Sequence, residues 1–197
     1  MSALEPAGLH RPDLAGQAVE LLNRGNVGNP DVLLVPQVDG PPLVVKDYQP
    51  RPLWVRATLG RWVARREARA YRALEEHPAV PGFRGWIDAL AFAVEYRPGR
   101  RMSRKLAGQV PADFADRLEA ALAEMHRLGV VHLDLRHRSN VLVDDQGAPV
   151  LIDFGSAFTF RPGSWLGRVL LPPLAWIDRL AVEKWRVRLG SGSPPQA

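Results

Sequence analysis

Short apolar runs broken by turn residues dominate the first half of the chain, and helical spacings dominate the second. Val32–Val35 and Leu43–Val45 are β-rich runs joined by Val38-Asp39-Gly40-Pro41-Pro42, a strong turn signal. Trp86–Ile87 and Leu90–Val94 read as a second pair of strands. Between the pairs, Leu53–Leu74 carries Trp54, Val55, Thr58, Leu59, Trp62 and Val63 at three- and four-residue spacings. That period predicts an amphipathic helix, with Gly60 as the point where it breaks in two. Pro111–Leu128 is the best-marked helix. Pro111 suits its start, Asp113 and Asp116 load its positive end, and Gly129 stops it. Phe114, Leu118, Ala121, Leu122 and Met125 form its buried stripe, with His126 beside them as a packing or capping residue. The stretch Trp165–Leu189 is rich in Trp, Leu, Val and Arg, and Pro172-Pro173 is expected to split it into two amphipathic pieces.

One hairpin signal stands apart because chemistry flanks it. Val141–Val143 and Val150–Ile152 enclose the turn Asp144-Asp145-Gln146-Gly147. A hairpin there brings Asn140 at one end next to Asp153 on the neighbouring strand. Two oxygen donors so placed suit a hard cation such as Mg2+. The carboxylate of Asp134, just upstream, can orient a hydroxyl nucleophile.

Composition narrows the setting. A chain of 197 residues, 46% hydrophobic and 24% charged, suits one compact unit or two small lobes. The absence of cysteine excludes disulfides, thiolate zinc sites and a Cys nucleophile. Lys and Arg total 26 against 21 Asp and Glu, and Arg outnumbers Lys, which favours phosphate and carboxylate partners. The first residues lack an apolar core and no apolar run is long enough to span a bilayer, so a cytoplasmic protein is expected. The basic, Trp-rich stretch near the end suits either packing on the preceding unit or peripheral contact with an anionic membrane at its inner face. No aromatic–basic stacking motif points to nucleic acid.

Leu128-Gly129-Val130-Val131-His132-Leu133-Asp134-Leu135, then Asn140-Val141-Leu142-Val143, then Leu151-Ile152-Asp153-Phe154-Gly155 form a compound pattern. It resembles the catalytic loop and metal loop of the protein-kinase superfamily. In length the chain is similar to the short atypical members, the RIO kinases, the Bud32-type kinases and the bacterial lipopolysaccharide core kinases. The likeness covers residues 43–158 and is densest at Gly129–Gly155. It implies an α+β, two-lobed fold with a small β-rich N-lobe over residues 17–96 carrying one long helix. A truncated, mainly helical C-lobe follows over 97–190, with a flexible lead-in at 1–16 and a tail at 191–197.

The resemblance also assigns roles, all of them expectations. Leu43-Val44-Val45-Lys46 is similar to the strand ending in the phosphate-binding lysine. Lys46 would orient the phosphates of ATP and Glu67 would hold it, with Glu75 and Glu76 as alternatives. Gly25 and Gly28 would form the phosphate cover. Val94 would back the adenine pocket, and the backbone of Glu95 and Tyr96 would meet the adenine edge. Asp134 would accept the acceptor's proton, Arg136 would stabilise the transferring charge, and Asn140 and Asp153 would hold Mg2+. His132 reads as a structural histidine bonded to backbone near Asp153. One departure is visible. Residues 135–139 give a five-residue spacer between Asp134 and Asn140 where the family has four. Counting back from Asn140 would put Leu135 in the base position, and Leu cannot accept a proton. The implied activity is ATP- and Mg2+-dependent phosphoryl transfer to a hydroxyl, Ser or Thr of a protein first. A lipid-linked sugar acceptor and a nucleotide-binding pseudokinase are the alternatives.

Overall fold

A computed structural model describes residues 8–16, 19–161 and 163–190 of the chain. The described residues form two compact units. The first runs to Arg72 and takes in Pro81–Tyr96; the second holds Ala73–Val80 and the chain from Arg97 onward. The architecture is α+β, with the β-rich first unit that the strand signals predict.

In the first unit, helix α1 (Arg11–Gly16) precedes strands β1 (Glu20–Asn23), β2 (Asp31–Gln37) and β3 (Gly40–Asp47). Helices α2 (Leu53–Ala57) and α3 (Leu59–Ala73) follow, then β4 (Phe83–Asp88) and β5 (Ala91–Glu95). The strands form one antiparallel sheet in the order β1-β2-β3-β5-β4. Successive side chains on a strand point to opposite faces, so the sheet sorts its residues into two sets. Leu43 and Val45 of β3 join Ala91 and Ala93 of β5 in a core capped by Leu9 and Leu14. On the same set of positions, Asp47 receives Arg11 at 2.6 Å, and Asp88 also binds that guanidinium. Within residues 1–16, expected as a loose lead-in, Arg11–Gly16 thus form a short helix tied to the sheet through Arg11. On the opposite set, Phe92 packs with Phe83, Trp86 and Tyr71 of α3 in an aromatic cluster.

The predicted break at Gly60 falls two residues earlier. Thr58 leaves helical geometry and its hydroxyl donates to the Trp54 carbonyl at 2.6 Å. Gly60 lies inside α3 and is buried for a different reason. A Cβ there would sit 3.0 Å from the Val55 carbonyl oxygen and 3.2 Å from the Tyr48 ring, so glycine permits a close approach rather than a bend.

In the second unit, β6 (Arg100–Arg101) leads to helix α4 (Phe114–Arg127) and the short strand β7 (Val130–Val131). The hairpin β8 (Val141–Val143) and β9 (Pro149–Leu151) comes next, then β10 (Phe158–Thr159) and helix α5 (Trp165–Gly190). Strand β8 pairs with both β6 and β9, and β10 pairs with β7. Phe114, Leu118, Leu122 and Met125 of α4 are buried, the stripe its spacing predicts.

The C-terminal stretch differs from the expectation of two pieces. It is one helix that runs through Pro172 and Pro173. Neither proline can donate to the carbonyl four residues back, at Arg168 and Val169. Both of those residues are exposed, so water can take the place of the missing donors, and the helix continues. Its buried face, with Ala175, Asp178, Ala181, Val182 and Trp185, lies in contact with α4 and β7.

Candidate active site

The first unit carries a buried ion pair. Lys46 is the penultimate residue of the inner strand β3, between β2 and β5, paired with Val32 on one side and Phe92 on the other. Its ammonium donates to a carboxylate oxygen of Glu67 in α3. Lys46 is 5% exposed and Glu67 1%. Two charges survive such burial only when paired, because the desolvation cost of either one alone is several kcal/mol, about 3–5 in measured cases. The pairing fixes an ammonium at one place on the sheet.

The glycines of the first unit lie in the loop between β1 and β2. The Gly25 N–H donates to Asp31 at 2.9 Å and the Gly28 N–H to the Asn26 side chain at 3.1 Å. Arg51 ties the loop down by donating to the Gly25 and Asn26 carbonyls and to Asp31. Both glycine amides are therefore engaged, and a phosphate cover built from them requires those bonds to open. Val94 is buried in the inner strand β5. The Glu95 N–H donates to Gly82 at 2.9 Å and the Tyr96 N–H to Pro42 at 3.3 Å, so these two amides also have protein partners.

The second unit gathers the remaining residues on one hairpin. The register of β8 on β9 sets Val141 opposite Leu151. One step further out, the Ile152 N–H donates to the Asn140 carbonyl at 3.0 Å. Asn140 and Asp153 thus occupy adjacent strand ends. Asn140 is buried, and its amide donates to the Asp134 carboxylate and to the Asp134 carbonyl, each at 2.9 Å. The amide nitrogen is thereby turned toward Asp134, and the amide oxygen, which accepts from Ser139 at 2.9 Å, keeps a second lone pair. Asp153 is exposed. One amide oxygen and one carboxylate make a hard donor set that fits a divalent cation completing its shell with phosphate oxygens and water. Among the described residues no three His, Asp or Glu side chains cluster as an all-protein metal cage.

The loop before the hairpin is held by backbone bonds. His132 is fully buried, and its Nε2 lies 3.0 Å from the Ile152 carbonyl, next to Asp153. Its ring packs tilted against that of Phe154, with centroids 4.7 Å apart. Burial pushes the His132 pKa below its ordinary value of 6.5, so the ring is neutral at neutral pH and Nε2–H is the donor. Two non-glycine residues here have left-handed backbone, Leu133 and Asp153, each at φ 66°. Such conformations cost about 1–3 kcal/mol and persist where surroundings enforce them.

Helix α5 supplies that enforcement at Leu133. Its Asp178 carboxylate accepts the N–H groups of His132 and Leu133, both at 2.8 Å, and lies 3.0 Å from His126 Nε2. The Trp185 indole donates to the Leu135 carbonyl at 3.3 Å and the Lys184 ammonium to the Arg136 carbonyl at 3.2 Å. Leu135, the residue that competes with Asp134 for the base position by counting, is buried. Arg136 is exposed. Asp178, Lys184 and Trp185 have no counterpart among the sequence-predicted site residues. The available signal was Asp178 itself, a single carboxylate in the otherwise apolar and basic run from Trp165 to Val182.

A search of curated proteins finds no significant match to the chain. The sequence profile of the APH phosphotransferase enzyme family matches residues 30–163, from β2 to the segment before α5. That span is more than half of the 197 residues, and the chain belongs to the APH phosphotransferase enzyme family.

Proposed function

We propose that the chain transfers the γ-phosphoryl group of ATP, bound with Mg2+, to a hydroxyl group, with serine or threonine of a protein as the acceptor. The observation that carries this reading is the hairpin end, where Asp134 and Asn140 are hydrogen-bonded and Asp153 is one residue from Asn140's backbone partner. Family membership supports phosphoryl transfer as the reaction class.

In this reading Lys46, steadied by Glu67, binds phosphate oxygens as a fixed positive charge. Asn140 Oδ1 and the Asp153 carboxylate hold Mg2+. When bound, the ion neutralises charge on the phosphate oxygens. Asp134 orients the acceptor hydroxyl and takes its proton as the oxygen forms its bond to the γ-phosphorus. The bond from that phosphorus to the bridging oxygen breaks, and ADP leaves. Arg136 offers its guanidinium to the transferring phosphoryl group. Positioning and electrostatics of this kind supply most of the acceleration in phosphoryl transfer.

The test is incubation of the purified chain with γ-labelled ATP, Mg2+ and fractionated cell extract, wild type beside Asp134→Asn. Label in protein hydroxyls that falls by roughly 10²–10⁴-fold in the variant, with nucleotide binding kept, supports the assignment. Label that enters a lipid-linked sugar instead moves the acceptor class. Nucleotide binding without transfer to any fraction makes the chain a binding module and ends the enzymatic reading.

A further inference from the structure

Helix α5 is apolar on two faces, and the second unit covers one of them. Ala175, Ala181, Val182 and Trp185 are buried. On the other side Trp165 is 72% exposed, Val169 60% and Trp176 59%, with Leu166, Leu170 and Leu180 also exposed. At 100° per residue these six fall within one arc of the helix, and the exposed Pro172 and Pro173 lie in the same arc. Isolated exposed apolar side chains are ordinary, but a continuous stripe with two tryptophans marks a surface that meets something.

Charge selects the occupant. Arg168 and Arg179 are exposed along one margin of the stripe. From Trp165 to Val182 the single carboxylate is Asp178, which is 1% exposed and faces the catalytic loop. The stripe is therefore bordered by cations and carries no exposed anion over that length. Tryptophan, leucine and arginine on one helical face fit a phospholipid headgroup layer, where indole rings sit at the boundary and guanidinium groups meet phosphate. Among the described residues no helix is long and apolar enough to cross a membrane, which fits lying on a surface rather than spanning it.

We propose that the exposed face of α5 docks on an anionic phospholipid surface. This inference is independent of the phosphotransfer reading. It also resolves the two alternatives for the C-terminal stretch, since one face packs on the second unit while the opposite face binds lipid. A smaller patch of the same character, Trp54 and Trp62 with Arg61 and Arg65 nearby, lies in the first unit and serves as the control.

The experiment is flotation of the full chain with phosphatidylcholine vesicles, with and without about one third phosphatidylglycerol, at about 0.1 M and about 1 M salt. The full chain is expected to float with the anionic vesicles at low salt and to be released at high salt. Arg168→Gln with Arg179→Gln should lower partitioning by roughly 30-fold. Trp165→Ser with Trp176→Ser should lower it at least as far, while leaving the thermal unfolding midpoint unchanged because both rings are exposed. No flotation with anionic vesicles at low salt overturns the proposal. So does equal flotation of the Trp165/Trp176 variant, or loss of flotation in Trp54→Ser with Trp62→Ser alone. Concentration-dependent dimerisation abolished by the α5 variant, without vesicle binding, also overturns it by making a second copy the occupant.

Discussion

The Asp178 carboxylate and the His132 backbone N–H lie 2.8 Å apart across 46 residues of sequence, both buried. The same carboxylate takes the Leu133 N–H, the residue whose backbone is left-handed. A buried N–H without an acceptor costs about 1–3 kcal/mol, so Asp178 stabilises a turn that would otherwise be unfavourable. Asp178→Ala removes the acceptor for two such groups and should destabilise the fold by about 2–4 kcal/mol. The drop is read from the urea midpoint at unchanged slope. Asp178→Ala at wild-type stability would show that the loop conformation is held by other contacts.

Lys46 and Glu67 make a second claim that stability alone can test. Removing one member of a buried pair takes a close counter-charge from the other, at a cost of about 3–5 kcal/mol. Lys46→Met and Glu67→Leu should each be strongly destabilising. The double variant should recover most of that loss, because no lone charge remains. Additive losses in the thermal unfolding of the three variants would mean that the two side chains are not energetically coupled.

Strands β2 to β5 and the β8–β9 hairpin are legible in the sequence because they rest on local signals. Alternating apolar runs, the Asp-Gly turn region at Asp39-Gly40 and the turn at Asp144–Gly147 each specify their own neighbourhood. The helix break near Thr58 was off by two residues because Gly60 answers to the Tyr48 ring, a tertiary contact. The continuity of α5 is hidden in the sequence because proline's penalty falls here on the carbonyls of two exposed residues, Arg168 and Val169. Asp178 was missed for the deeper reason that its partners, His132 and Leu133, lie far away in sequence and bind through backbone atoms that carry no residue signature.

Gly129 joins α4 to β7 with φ 82°, and an added Cβ would meet the Phe160 carbonyl oxygen at 2.5 Å. The same pair is hydrogen-bonded, Phe160 N–H to Gly129 carbonyl at 2.7 Å, so neither backbone can move away without breaking the link to β10. Gly108 has a similar φ, 72°, with open space around it. Gly108→Ala should therefore cost only the left-handed strain, about 1–2 kcal/mol. Gly129→Ala should cost clearly more and should also lower hydrogen-exchange protection at the Phe160 amide. Equal losses in the two variants would show that the Phe160 contact yields freely.

His132 gives the fold a pH dependence whose direction is fixed by its burial. The folded ring resists protonation, whereas the unfolded chain titrates near 6.5. Above that value both states hold a neutral ring and pH has no effect through this residue. Below it the unfolded chain gains a proton that the folded state refuses, so stability falls with pH by up to about 1.4 kcal/mol per unit. The loss continues down to the lowered folded value, where the ring at last protonates and Nδ1 becomes a second N–H while Nε2–H stays on the Ile152 carbonyl. Nδ1 lies 3.4 Å from the Asp134 N–H, a donor that a protonated Nδ1 would oppose. Protonation would therefore disturb the Asp134 backbone as well as the fold. Urea unfolding from about pH 8 to about pH 5 should give a constant stability gap between wild type and His132→Gln at the upper end. The wild-type advantage should shrink once pH drops through about 6.5, because Gln does not titrate. The four other histidines, at positions 10, 77, 126 and 137, are common to both proteins and cancel in the difference. Parallel curves over the whole range would mean that His132 is protonated as readily in the fold as outside it.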